Sequence, residues 1–262
     1  MKKNILSNIL PLLAMLSFMI SCSEKIENQE APAPQPEKAL RFTYTDVVDQ
    51  LNNVFACDLY LVAEGNPDLQ KEYLEKYFHN TAPTIDTRKR TITTNHYSTG
   101  MAIHTGNKRL TDEGSEWTVK LSPGGQTYTL RHTGNNLYTL KGRTATEISP
   151  IYTSLETDLD LRIKVETKDD IPYYPSHQKT PRPRITWVYT LNGNSSTTGG
   201  SSRLGYTEWT CEVVDLKAYD PKMHFGAEPV FPAKSYFRSG LVRMKLLRSL
   251  NGEAESKTIT LP

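Results

Sequence analysis

From about residue 88 onward, apolar side chains recur with a period of two, and this alternation constrains the fold more than any other feature. Leu155, Leu159, Leu161, Ile163 and Val165, with Thr157 among them, alternate with Glu156, Asp158, Asp160, Arg162 and Lys164. Successive side chains of a strand point to opposite faces, so such a segment has one dry and one wet side. Ile185, Trp187, Tyr189 and Leu191 repeat the pattern, as do Trp209, Cys211 and Val213, and then Val242, Met244 and Leu246. Shorter strands are predicted at Thr91–Tyr97, Trp117–Leu121, Thr127–His132 and Leu137–Lys141, divided by turns such as Pro123-Gly124-Gly125 and Gly134-Asn135-Asn136. Closely spaced, half-wet strands pair antiparallel. The expected class is therefore mainly β (α+β), an antiparallel meander or sandwich-like sheet, with no repeat of solenoid period.

The period is different upstream. Val47, Val48, Leu51, Val54, Phe55, Leu59 and Val62 fall at helical spacing across 45–63, behind Thr43 and Thr45 as N-cap residues. Asn66-Pro67 then opens a second helix carrying Leu69, Tyr73, Leu74, Tyr77 and Phe78, which Pro83 ends. Both are expected to pack on the sheet. Three long connections are expected as well: 169–183 and 219–235, rich in proline, and 192–205, with its Gly/Ser/Thr run.

The N-terminus reads as an export signal. Lys2 and Lys3 precede the apolar run Ile9–Ile20, which is shorter than a bilayer span and broken by Pro11. Met19-Ile20-Ser21-Cys22 resembles a bacterial lipobox, with Met19 where leucine is usual; that resemblance implies acylation of Cys22 after cleavage. Several acyl chains at one end give stable anchoring, since each buried methylene contributes about 0.8 kcal/mol. Residues 23–40 are acidic and then Pro/Ala-rich and read as a disordered tether. The expected organisation is a signal peptide over 1–21, a lipidated cysteine and tether over 22–40, and one β-rich domain over 41–262.

Glu24, Glu27 and Glu30 behind Cys22 resemble the acidic export tract of Bacteroidota-type surface lipoproteins. The body resembles the same Bacteroides-like lipoprotein family in three features. These are an N-terminal helix before Thr-rich strands, the stretch Trp187-x-Tyr-Thr-Leu-Asn-Gly-Asn-Ser-Ser196, and a closing strand at Lys257–Leu261 after Asn251-Gly252. It departs from that family where Leu247-Arg248-Ser249-Leu250 replaces a Gly/Asp-rich turn with a cysteine. The family carries no activity to transfer. The resemblance implies lipid anchoring in the outer membrane with the body exposed at the cell surface.

Charge and motifs narrow the function classes. The net charge of +2 comes from Lys2 and Lys3, and the rest of the chain balances, so a general nucleic-acid grip is not expected. No Gly-x-Gly-x-x-Gly or phosphate-cradling loop points to a nucleotide, and no cofactor is expected. No Gly-x-Ser-x-Gly elbow points to a serine hydrolase. Among His79, His96, His104, His132, His177 and His224 none stands in a metal motif, and His96 and His132 are expected as surface-facing sheet residues. Asp158, Asp160, Asp215 and Asp220 lack the glycine and ligand spacing of a calcium loop and read as solvated acids.

Cys57 and Cys211 leave two readings open, one disulfide in an exported protein or two buried reduced thiols. Tyr173 and Tyr174, beside the strand bearing Trp187, also leave two: an aromatic platform for a sugar, or packing residues. The function expected is an envelope lipoprotein acting as a non-catalytic binding or structural module. Its partners would be the membrane through the lipid, and a polysaccharide or another surface protein. A surface glycan-binding accessory protein is the first alternative, and a secreted hydrolase or a surface-fibre subunit the second.

Overall fold

The computed structural model describes residues 36–78, 81–96, 99–122, 124–148, 153–173, 182–201, 205–219, 237–248 and 256–260. The signal segment, Cys22 and the tether as far as residue 35 lie outside them. Two helices, α1 (Pro36–Val62) and α2 (Pro67–Tyr77), precede eleven strands. These are β1 (Thr84–Asp86), β2 (Thr91–His96), β3 (Thr99–His104), β4 (Glu116–Ser122), β5 (Thr127–Gly134) and β6 (Leu137–Ile148). They continue as β7 (Thr153–Tyr173), β8 (Arg182–Ser201), β9 (Gly205–Tyr219), β10 (Phe237–Arg248) and β11 (Ser256–Thr260). All eleven form one antiparallel sheet in sequence order, β1 at one edge and β11 at the other. The chain is thus mainly β with two N-terminal helices, arranged as a meander in a single sheet.

Helix α1 begins at Pro36, so the last five residues of the expected tether belong to it. Proline is at home in a first helical turn, where its missing N–H has no partner to lose, and Leu40 is already 1% exposed. An amphipathic helix shows water one face, but here every residue from Asn53 to Asp58 is buried. It is tied to three strands of the sheet, β3, β6 and β8. Tyr44 Oη bonds Ser195 Oγ of β8 at 2.8 Å and Gln50 Nε2 donates to Thr144 Oγ1 of β6 at 2.9 Å. Tyr189 of β8 donates to Asn52 Oδ1 at 2.8 Å, and Asn53 meets Met101 Sδ of β3. Phe55 completes the seam, its ring 5.4 Å from Tyr138 and 5.8 Å from Trp187.

Past Val62 the chain turns through Gly65, whose φ of 87° an L side chain resists. Asn66 then caps α2 by accepting the Leu69 N–H at 3.1 Å. Tyr73, Leu74 and Tyr77 of α2 pack against the core without being fully buried. Among the described residues no helix is long and apolar enough to cross a membrane.

The expected connection over 192–205 is mostly strand, because β8 runs to Ser201 and pairs with β9 as far as Ser201↔Gly205. Its small inward residues have a packing reason: Ser195 and Thr197 are buried where Tyr44 enters, and Thr197 bonds Thr157 at 3.0 Å. Strand β7 likewise extends to Tyr173, inside the expected 169–183 connection. The expected connection at 219–235 lies almost wholly outside the described residues.

A bulge bends the long strands. Register passes from Leu191↔Leu216 to Gly193↔Val213, so Asn192 alone faces Val214 and Asp215. Asp215 adopts φ 46°, and the Asn192 side chain repairs the ladder by accepting the Asp215 N–H at 2.9 Å and donating to its carboxylate at 3.1 Å. Gly193 sits at φ 133°, where an added Cβ would lie 2.3 Å from the Asp160 carbonyl oxygen.

Candidate functional site

The aromatic platform is not assembled by the described residues. Trp187 is 6% exposed, with its ring against Phe55 and 5.4 Å from Tyr77, so it is a core residue and offers no face to a ligand. Tyr173 closes β7 in register with Arg182, and Tyr174 lies outside the described residues. Trp117 and Trp209 are also core residues.

Cys57 and Cys211 are free, buried thiols. Cys211 is the register partner of Ser195, which holds Tyr44, whereas Cys57 lies thirteen residues further along α1. At 1.5 Å rise per residue that is about 20 Å along the helix axis, far beyond the roughly 7 Å over which Cα atoms can be bridged. Burial pushes the Cys57 thiol up and the Cys211 thiol up to about 12. Neither is therefore an activated nucleophile.

β2, which ends at His96, and β5, which carries His132, are not neighbours in the sheet. His132 is not a surface residue either. It is 6% exposed on the inner face of β5, stacked on Tyr138 at 4.4 Å with 13° between the rings, and neither ring nitrogen has a hydrogen-bond partner. Over it, the 105–115 loop is clamped: Gly114 and Ser115 exchange backbone bonds with His132 at 3.0 Å each. Asp58 of α1 accepts the Leu110 N–H at 2.9 Å and pairs with Arg109 at 2.9 Å. Among the described residues no three His, Cys, Asp or Glu side chains converge on a metal site.

The recess that remains lies on the wet face of β7–β11, a groove of about 740 Å³. Its lining includes Leu159, Ser195, Cys211 and Met244 of the buried face, and sheet register places its outward side chains in two rows. One runs Asp158, Ser196, Thr210, Lys245, and the other runs Asp160, Asn194, Glu212, Arg243, Thr258. At about 4.8 Å per strand the second row spans roughly 19 Å from β7 to β11. The Asn192 bulge and Gly193 adjoin it on one side, in keeping with the use of bulges to bend a sheet beside a site.

Ion pairs hold the carboxylates in place. Arg143 grips Asp158 through two bonds, at 2.8 and 2.9 Å, and Lys141 reaches Asp160 at 3.2 Å. Arg243 pairs with Glu212 at 2.8 Å. Each of these carboxylates is more than half exposed and beside a cation. None has the apolar or like-charged setting that a general acid requires. Asn194, Ser196, Thr210 and Thr258 lie between the pairs with donors and acceptors open to solvent. Such a surface can recognise a polar molecule through many hydrogen bonds.

Asp158 and Asp160 are solvated acids, as expected, and their β6 partners Arg143 and Lys141 carry no signal in the sequence. Strand alternation marks Asn194, Ser196 and Glu212 as outward residues, but which of them share a row depends on register across the bulge. Comparison with protein-family models, curated proteins and solved structures gives no match to this chain.

Proposed function

We propose that the chain is a cell-envelope lipoprotein, anchored through Cys22 in the outer membrane with its body at the cell surface. Its β-rich body then acts as a non-catalytic module that binds a polyhydroxylated ligand, a glycan chain, in the groove of β7–β11. The observation that carries this reading is the groove itself. It is open and continuous over five strands, and its outward rows carry hydroxyls, an amide and ion-paired carboxylates, with Leu159, Cys211 and Met244 also in its lining. Carboxylates already neutralised by arginine and lysine still have free lone pairs, and each can accept from a sugar hydroxyl. The anchor rests on the resemblance of residues 19–22 to a lipobox and on the basic-then-apolar segment before them.

Two measurements test it. Affinity electrophoresis of the detergent-extracted protein through gels containing single polysaccharides should show retardation by at least one of them. Asn194→Ala combined with Thr210→Ala should abolish that retardation while leaving the unfolding midpoint within experimental scatter. No retardation by any polysaccharide, or retardation unchanged in the double variant, refutes the binding site. Intact mass of membrane-extracted protein should show Cys22 as the acylated first residue, and an unmodified N-terminus upstream of it refutes the anchor.

A further inference from the structure

The charges of the groove bear on which glycan it takes, and this inference rests on its reading as a glycan site. We propose that it takes uncharged chains and turns away those bearing acid or amine substituents. Four cations meet four carboxylates here: Asp158 and Glu156 share Arg143, Asp160 has Lys141, Glu212 has Arg243, and Lys245 completes the balance. Arg143, Lys141 and Glu156 stand beside the groove, and the other five line it. Among the described residues this set has no net charge, so no long-range pull of either sign reaches a ligand.

The order of the charges matters as much as their sum. One row across the sheet runs Lys141, Asp160, Asn194, Glu212, Arg243. The amide on β8 is its centre, with a carboxylate one strand away on each side, about 4.8 Å, and the cations behind them. A sugar acid seated over Asn194 therefore stands nearer to two carboxylates than to the cations that neutralise them. The neighbouring row runs Arg143, Asp158, Ser196, Thr210, Lys245, with two hydroxyls between a carboxylate and a cation. An acid approaching Lys245 over Thr210 meets Glu212 as well, the diagonal neighbour of Lys245 across β9 and β10 at about 7–8 Å. An amine gains little in its turn, because lysine and arginine already hold Asp160 and Glu212 at 3.2 and 2.8 Å. A substituent of either sign thus adds an uncompensated charge and gives up hydration that the site does not replace. A hydroxyl carries no such cost, since it donates to a paired carboxylate and accepts from the Asn194 amide or the Lys245 ammonium.

The experiment is affinity electrophoresis of the full, detergent-extracted protein in dextran, galactomannan and a β-glucan, each in native, carboxymethylated and diethylaminoethylated form. At least one native polymer should retard the protein, and its two charged forms should do so roughly two- to fivefold less, the scale of one exposed charge contact. Variants that unbalance the groove should move this preference in opposite directions. Lys245→Gln should raise retardation by the amine form relative to the native polymer, and Asp160→Asn, which frees Lys141, should raise that by the acid form. The ratio is read within each variant, so a general loss of affinity cancels. Lys120→Gln, on the wet face of β4, is the control and should leave both ratios unchanged. A charged form that retards the unaltered protein as well as its native polymer does, or better, overturns the preference while leaving the glycan site standing. Ratios unmoved by Lys245→Gln and Asp160→Asn, or moved equally by Lys120→Gln, overturn it too. No retardation by any form overturns both readings.

Discussion

Asp58 offers the most decisive perturbation of this fold, because its two partners can be separated by substitution. Its side chain is 2% exposed and it makes two contacts of equal length: the N–H of Leu110, a residue of zero exposure, and the guanidinium of Arg109, which is 45% exposed. Asp58→Ala removes both. The Leu110 N–H is then stranded in the interior at a cost of roughly 1–3 kcal/mol. The Arg109 contact, screened by solvent, adds only about 0.2–1 kcal/mol. Asp58→Asn keeps an oxygen for Leu110 and forfeits only the charge, so it should lose less than about 1 kcal/mol. Urea unfolding followed by tryptophan fluorescence separates the two cases. With a slope of about 2–3 kcal/mol per molar, Asp58→Ala should lower the midpoint by about 1 M and Asp58→Asn by about 0.5 M or less. An asparagine variant as unstable as the alanine one would falsify the assignment of the stability to the buried N–H. Two unshifted midpoints would show that the 105–115 loop is not held by α1 at all.

Four further outcomes follow from the interior. His132→Phe should raise the unfolding midpoint by an amount equivalent to about 1 kcal/mol, because it keeps the stack on Tyr138 and removes two buried nitrogens without partners. A fall in thermal scans would mean that the imidazole has a partner. Gly193→Ala should cost about 1–3 kcal/mol, since φ is 133° and the new Cβ meets the Asp160 carbonyl at 2.3 Å, and a neutral result in urea would dismiss the strained bend. In the folded protein at pH 8 neither Cys57 nor Cys211 should react with a maleimide, and both should react in denaturant without reductant. The buried thiols and the phenols of Tyr44 and Tyr128 are all pushed up by burial, and that of Tyr138 to about 12. Their contribution is therefore complete below the unfolded thiol value of about 8.5 and is lost as pH rises above it toward 12. A urea midpoint constant from pH 8 to 11 would contradict this.

The sequence showed those parts of the fold that depend on local periodicity. The α1 stripe from Val47 to Val62 and the alternation from Leu155 to Val165 are visible because each has one apolar and one polar set. Strand β1 has three residues and β3 has Thr99, Gly100 and Ala102 among six, too few apolar side chains to carry a pattern. The second half of β8 escaped for another reason. Its Gly/Ser/Thr composition is that of a loop, and it is a strand because small inward residues are what the space around Tyr44 allows. The groove was not legible, as one of its rows joins residues nearly a hundred positions apart, from Asp160 to Thr258, and the bulge at Asn192 shifts the count between strands.

The meander and the enclosed helix place opposite demands on the order of folding. Each strand pairs with its neighbour in sequence, so the sheet can close hairpin by hairpin, with no connection longer than the 17 residues between Tyr219 and Phe237. The helix has no such neighbour. Its anchors to β8 span 151 residues at Tyr44–Ser195 and 137 at Asn52–Tyr189. A chain made from its N-terminus presents α1 first and must wait for β8 before these contacts exist. The most apolar helix is thus without its β8 partners for longest, and its docking on the sheet is the closure that spans the most sequence, the kind of contact that topology makes slow to form.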